Sequence, residues 1–218
     1  MELVETELPG CYHLKSVSQY ELVATFMRMQ EFYESNIDGI RGVYFSIEEF
    51  MDAYAKEHGN FTYFVDWVGF NLSSRIIREF YRKFPVKKLT NREKEFKELI
   101  APILKTRRKF CIIGTFQKLS KKEYSTYEHE MAHGLYFLNK KYKKKMDTML
   151  ESLGDFKQPC FDILKKKGYD ETVYYDELQA YLATSKYNYL KKKHYTKYIS
   201  KPLVLEFRKV FLEFKSRM

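Results

Sequence analysis

Apolar positions along this chain recur mostly at intervals of three and four, interrupted by short runs where β-branched and aromatic residues crowd together. Tyr20, Val23, Phe26, Met27 and Met29 follow the helical interval and predict a helix over 17–34. Three further helix starts carry a hydroxyl residue followed three positions later by glutamate: Ser46/Glu49, Thr90/Glu93 and Ser120/Glu123. In that arrangement hydroxyl and carboxylate satisfy the first free amide groups, which predicts helices over about 47–58, 91–105 and 121–138. Gly59 suits the end of the first, and Pro102 is expected to kink or shorten the second. A helix is expected over about 174–186, and at the C-terminal end Ser200 is placed to cap another. There Leu203, Phe207, Val210, Phe211 and Phe214 form a stripe that suits a core. Strand signals fall at 42–45 (GVYF), 61–67 (FTYFVDW) and 109–116 (KFCIIGTF). The last has no polar residue between Phe110 and Ile113, and it reads as a central buried strand leading by a short link into the next helix. Many helices with a small sheet among them make a mostly helical α+β fold.

No repeat, low-complexity segment or Pro/Gly/Ser-rich linker interrupts the 218 residues, so the expectation is one domain over 1–218. A hydrophobic content of 44%, with 17% aromatic, excludes a disordered chain. No apolar run approaches the roughly 20 residues that a membrane-spanning helix needs. The opening "MELVETELPGCYHLKSV" is acidic and lacks a hydrophobic stretch, so an intracellular, cytoplasmic protein is expected. Cys11, Cys111 and Cys160 are odd in number and far apart, which fits reduced thiols rather than a disulfide framework or a thiolate zinc site.

The net charge of +10 is concentrated in "KKYKKK" (140–145) and the "KKK" runs at 165–167 and 191–193. Such runs can follow a phosphate backbone or an acidic membrane surface, and they also occur on solvated helix faces. "KYNYLKKKHYTKYI" interleaves aromatics with lysines, as stacking plus phosphate contact would require. The 19 tyrosines, however, are spread over the whole chain. Nucleic acid therefore stands as an alternative class of partner.

The chemistry concentrates in "YEHEMAHGLYFL" (127–138). On a helix His129 and His133, four apart, project from one face about 6 Å apart along the axis, so both imidazoles can reach one metal ion. Glu130 is displaced about 100° round the helix from His129, placed to face a metal-held water as general base. Tyr127, Met131, Ala132, Leu135, Tyr136 and Leu138 surround the pair with apolar bulk, while Ala132 and Gly134 leave space.

"HEMAH" (129–133) resembles the H-E-x-x-H signature of the zincin superfamily of zinc metallopeptidases. The strict match covers five residues, and a looser one takes in the strand and helix over 109–138. The resemblance implies a small sheet preceding the active-site helix, a zinc cofactor, and a peptide or protein substrate. The metzincin extension fails, because Tyr136 and Asn139 stand where its glycine and third histidine belong. A gluzincin-type third ligand, a glutamate on a later helix, is expected instead. Glu177 is favoured because "YYDELQAYLAT" (174–184) sets it beside small residues on an apolar helix, with Glu151 as the alternative. Glu171, His194 and Asp176 are weaker candidates. Zincins also tend to stabilise the oxyanion with a tyrosine, histidine or arginine, which brings in Tyr174, Tyr175 and, as the catalytic candidate, Tyr181. Asp176 could accept a hydrogen bond from a ligand histidine. Trp67 and Asn71, in "FTYFVDWVGFNLSS" (61–74), are candidate substrate-binding residues, against the plainer reading of a core strand followed by a turn.

Two expectations follow. One is a zinc-dependent metallohydrolase, a metalloprotease in which His129, His133 and Glu177 hold the metal and Glu130 is the base. The other is a basic nucleic-acid-binding or toxin-like protein in which the histidine motif is structural or inactive.

Overall fold

The structure, a computed structural model, describes residues 1–106, 108–116 and 123–217. The chain forms two compact units, the first from Met1–Thr6 and Gly10–Leu119, the second from Glu7–Pro9 and Ser120–Met218. No linker in the sequence announces this division.

The first unit holds the sheet. Its strands are β1 (Glu2–Glu5), β2 (Cys11–Ser16), β3 (Phe70–Ser73) and β4 (Cys111–Phe116), in the order β1-β2-β4-β3. β1 runs antiparallel to β2 and β3 antiparallel to β4, while β2 and β4 are parallel, with Cys11 opposite Cys111. β4 is thus an inner strand, buried from Cys111 to Thr115 as its unbroken apolar run predicts. Helix α1 (Gln19–Glu34) packs across the sheet at Gly114, where an added Cβ would stand 2.6 Å from Phe26 Cε2 and 2.9 Å from Leu22 Cδ1. Only glycine permits that approach. Phe26 stacks on Phe70 with ring centroids 5.3 Å apart, and α2 (Ile47–His58), α4 (Ser74–Lys83) and α5 (Asn91–Leu99) complete the core with Phe50, Phe80 and Phe96. Inside it Arg28 is held by Glu93 on two sides (Nε to Oε1 2.8 Å, Nη2 to Oε2 2.5 Å) and donates to the carbonyls of Phe45 and Lys88.

The capping pairs Ser46/Glu49 and Thr90/Glu93 form reciprocal bonds, opening helices at Ile47 and Asn91. Ser120 and the side chain of Glu123 lie outside the described residues. Other expectations need correction. Residues 42–45 make no strand, because Gly42 turns the chain at φ 73°. The 61–67 segment contains a single helical turn, α3 (Tyr63–Asp66), with Thr62 Oγ1 bonded to the Asp66 carboxylate. Its aromatics are drawn inward to pack on Phe50 and Tyr54 rather than alternating across a pleat. The helix expected over 91–105 is broken at Ile100 into α5 and α6 (Ala101–Lys105), with Pro102 in the first turn of the second piece.

Among the described residues the second unit carries the helices α7 (Glu123–Leu138), α8 (Lys140–Glu151), α9 (Lys157–Lys166), α10 (Tyr174–Thr184), α11 (Tyr187–Lys192) and α12 (Lys201–Ser216) and no strand. α10 lies at its centre, packed against α7, α8, α9 and α12, with Leu178, Ala180, Leu182 and Ala183 buried. It stops at Thr184, where Ser185 turns extended, two residues short of the expected end. Ser200 occupies the cap position of α12, but its side chain makes no capping bond. Of the α12 stripe, Phe207, Val210 and Phe211 are buried and Leu203 and Phe214 half-buried, with Val204 buried beside them, so the centre of the stripe belongs to the core. All three cysteines are buried outside any disulfide, and among the described residues no helix is long and apolar enough to cross a membrane.

Candidate metal centre

α7 and α10 pack side by side, and their facing surfaces carry the site. The i, i+4 spacing stacks His129 above His133 on α7, with Nε2 atoms 3.2 Å apart. From α10 the carboxylate of Glu177 meets them both, Oε1 3.4 Å from His133 Nε2 and Oε2 3.7 Å from His129 Nε2. His129, His133 and Glu177 are the set among the described residues whose donor atoms converge within reach of one ion. A tetrahedral ion with ligands at about 2.0–2.2 Å spaces its donor atoms about 3.3–3.6 Å apart. The three separations fall around that range. Glu177 Oε2, the oxygen nearer His129, is buried and has no hydrogen bond among the described residues, which leaves it open to an ion. The residues therefore fit a metal ion.

The far side of His133 is fixed. Its Nδ1 lies 2.7 Å from Asp176 Oδ1, a separation at which Nδ1–H donates to the carboxylate and Nε2 faces the site. Gln179 Nε2 donates to the same Asp176 oxygen at 3.1 Å, and Tyr142 Oη donates to Gln179 Oε1 at 2.8 Å. Gln179 and Tyr142 extend the network beyond the residues that the sequence singled out. Gln179 follows Asp176 by three, the spacing of neighbours on one helix face, and that signal was available. Tyr142, from α8, had none.

Charge coupling follows the geometry. Burial alone would lower the pKa of His133, but the carboxylates of Asp176 and Glu177 outweigh it and hold the imidazole well above its ordinary value. Burial would raise Glu177, yet His133 and His129 keep it below the usual carboxylate range. Glu130, also buried, moves the other way. Desolvation, helped by Glu177 and Asp176, lifts it above that range against the pull of the two histidines.

No family model, curated protein or solved structure matches this chain.

The other sequence candidates have these surroundings. Glu151, at the end of α8, is exposed and engaged with Lys157 and Tyr175. Glu171 sits exposed in a short 3-10 turn, and His194 is exposed beyond α11. Tyr174 packs against Phe161. Tyr181 stands one turn beyond Glu177 with its ring 4.8 Å from that of His129 and its hydroxyl 3.1 Å from that of Tyr169. Trp67 and Asn71 belong to the first unit. There Trp67 stacks between Tyr63 and Phe70, and Asn71 lies in β3 opposite Ile113.

Proposed function

We propose that this chain is a zinc-dependent metallohydrolase of the peptidase type. The observation that carries the reading is the convergence of two imidazole nitrogens and one buried, unsatisfied carboxylate beside a second buried glutamate. His129, His133 and Glu177 hold the metal. Zinc bound there supplies Lewis acidity for a carbonyl and acidifies water. Asp176 fixes the tautomer and ring orientation of His133, and Gln179 and Tyr142 fix Asp176. Glu130 takes the proton from the attacking water and returns it to the leaving amine. A carboxyl lifted above its usual range is suited to both transfers. Tyr181, whose ring covers His129, donates a hydrogen bond to the developing oxyanion once its hydroxyl leaves Tyr169. The H-E-x-x-H resemblance supports the choice of amide hydrolysis. We assign the protein to the cytoplasm, where cysteines outside disulfides stay reduced.

Elemental mass spectrometry on protein purified without added metal tests the ligands. One zinc per chain is expected in wild type and in Glu151→Ala, and none in Glu177→Ala. Glu130→Gln should keep its zinc and lose about 10²–10⁴-fold in peptide hydrolysis. Wild-type protein that takes up no stoichiometric zinc on reconstitution, or Glu130→Gln with undiminished activity, would refute the proposal.

A further inference from the structure

Two lysine runs separated in sequence, 165–167 and 191–193, come together at one cavity of about 440 Å³ in the second unit. Lys166 and Lys167, at the end of α9, form one wall. Lys192, Lys193, His194 and Lys197 form the other. His194 makes this possible: it adopts the left-handed conformation (φ 67°), alone among the described non-glycine residues. That turn folds the chain back after α11 and returns Lys197 to the side of Lys192 and Lys193. Histidine enters this region more readily than most residues, but still at a conformational cost, and such costs cluster at binding sites.

Five lysines thus line one space, and among the described residues none of them has a carboxylate within ion-pair distance. Elsewhere in the same unit Lys143, Lys157, Lys209 and Lys215 each have an acidic partner. Lys167 is the most enclosed. Its Nζ lies 3.9 Å from the ring centre of Tyr181 and 3.4 Å from the hydroxyl of Tyr195. Burial, and then the charge on Lys193, bring its pKa down to about 8. Like charges gathered around a concave space create a field that an anion relieves.

We propose that this cavity binds a small ligand carrying two or more adjacent phosphates, held between the lysines of α9 and those of residues 192–197. The number of cations exceeds what a single phosphate dianion would neutralise, and the volume lies in the range of small-molecule sites, about 300–1,000 Å³. Ammonium-to-phosphate contacts are charge-assisted and correspondingly strong. None of the lining residues belongs to the metal triad, so this site goes beyond the hydrolase reading and does not depend on it. Lys167 and His129 both pack against the ring of Tyr181.

Calorimetric titration of the full chain with inorganic tripolyphosphate at fixed ionic strength tests the proposal. Wild type is compared with a cavity variant (Lys166→Gln, Lys193→Gln, Lys197→Gln) and a control variant on α8 (Lys141→Gln, Lys144→Gln, Lys145→Gln) that removes the same charge. Saturable one-to-one binding is expected, weakened at least about tenfold in the cavity variant and less than about twofold in the control. Equal weakening in both variants would overturn the site in favour of general charge. An unchanged affinity in the cavity variant would do so by placing the anion elsewhere, for instance on a metal. So would a single-stranded oligonucleotide that binds more tightly than tripolyphosphate and loses affinity equally in both variants. Amine acylation read by mass spectrometry keeps the test independent of variant folding. In wild type, tripolyphosphate should protect Lys167 and Lys193 while Lys141 stays reactive, and undiminished labelling of Lys167 would refute the assignment.

Discussion

Replacing Asp176 with asparagine leaves the side chain's size unchanged and removes one charge 2.7 Å from His133 Nδ1. Two effects on zinc affinity follow, and they differ in pH dependence. The carboxylate makes His133 a better donor, and partners of this kind typically contribute about 10–100-fold in metal affinity, or about 1.4–2.7 kcal/mol. The same carboxylate, with Glu177, holds His133 above its ordinary pKa of 6.5 despite burial, so zinc must displace a proton from it. Below that raised pKa, one displaced proton costs about tenfold in apparent affinity per pH unit. Removing the charge would lower the pKa of His133 and reduce this competition. Zinc should therefore bind Asp176→Asn about 10–100-fold more weakly than wild type at alkaline pH, and the gap should narrow steadily toward acid. Competition titrations with a chromophoric chelator over a pH series measure both curves. A ratio that stays constant with pH, or equal affinities at alkaline pH, would refute the role given to Asp176.

Stability against pH supplies a companion test. His133, raised in the folded state, contributes stability that is complete below its ordinary value of 6.5 and is lost as pH rises through the raised value. Glu130 is raised too and declines in the same direction, whereas Glu177 is lowered, so its contribution is lost only as pH falls toward its depressed value. Metal-free protein should melt at lower temperature as pH rises from the ordinary histidine value of 6.5 toward about 8, where Lys167 begins to work the other way, while the increment from zinc grows; a zinc increment that shrinks over this range would contradict the geometry. In the first unit, Glu93→Ala leaves the Arg28 guanidinium buried without its partner and should cost about 3–5 kcal/mol in urea unfolding. Glu95→Ala, at an exposed partner of Arg92, should cost less than about 1 kcal/mol, and similar losses for the two would be inconsistent with the buried pair. Gly114→Ala forces a methyl group against Phe26 and should destabilise by about 1–3 kcal/mol, measured the same way, with a neutral result showing that α1 can move away.

What could be read in advance was local. Ser46 with Glu49 and Thr90 with Glu93 specify their helix starts within four residues, and the structure contains those bonds. The unbroken apolar run at 110–113 marks a strand buried on both faces. His129 and His133 share a helix face by spacing alone. The aromatic content of 42–45 and 61–67 misled because β-propensity reflects packing surroundings, and here those surroundings are a cluster around Phe50 that a turn and a short helix serve better. β2 escaped notice because its parallel partner, β4, begins at residue 111. The carboxylate brought to the histidines comes from position 177, on a different helix, and its local signal was an acid set among small residues. The meeting of Lys166 and Lys167 with Lys193 and Lys197 depends on the backbone turn at His194, which lysine runs do not encode.

The parallel pairing of β2 with β4 also constrains how the chain reaches its native state. A ribosome adds about 5–20 residues per second, so Cys11 is made some 5–20 s before Cys111, its eventual neighbour in the register. Through that interval β1 and β2 can pair with each other, but the inner edge of β2 presents open amides and carbonyls. The sheet closes only after α1 to α6 have emerged. Ordering by distant contacts is slow, and an early hairpin with one open edge is the point at which nascent chains would be expected to stick to one another.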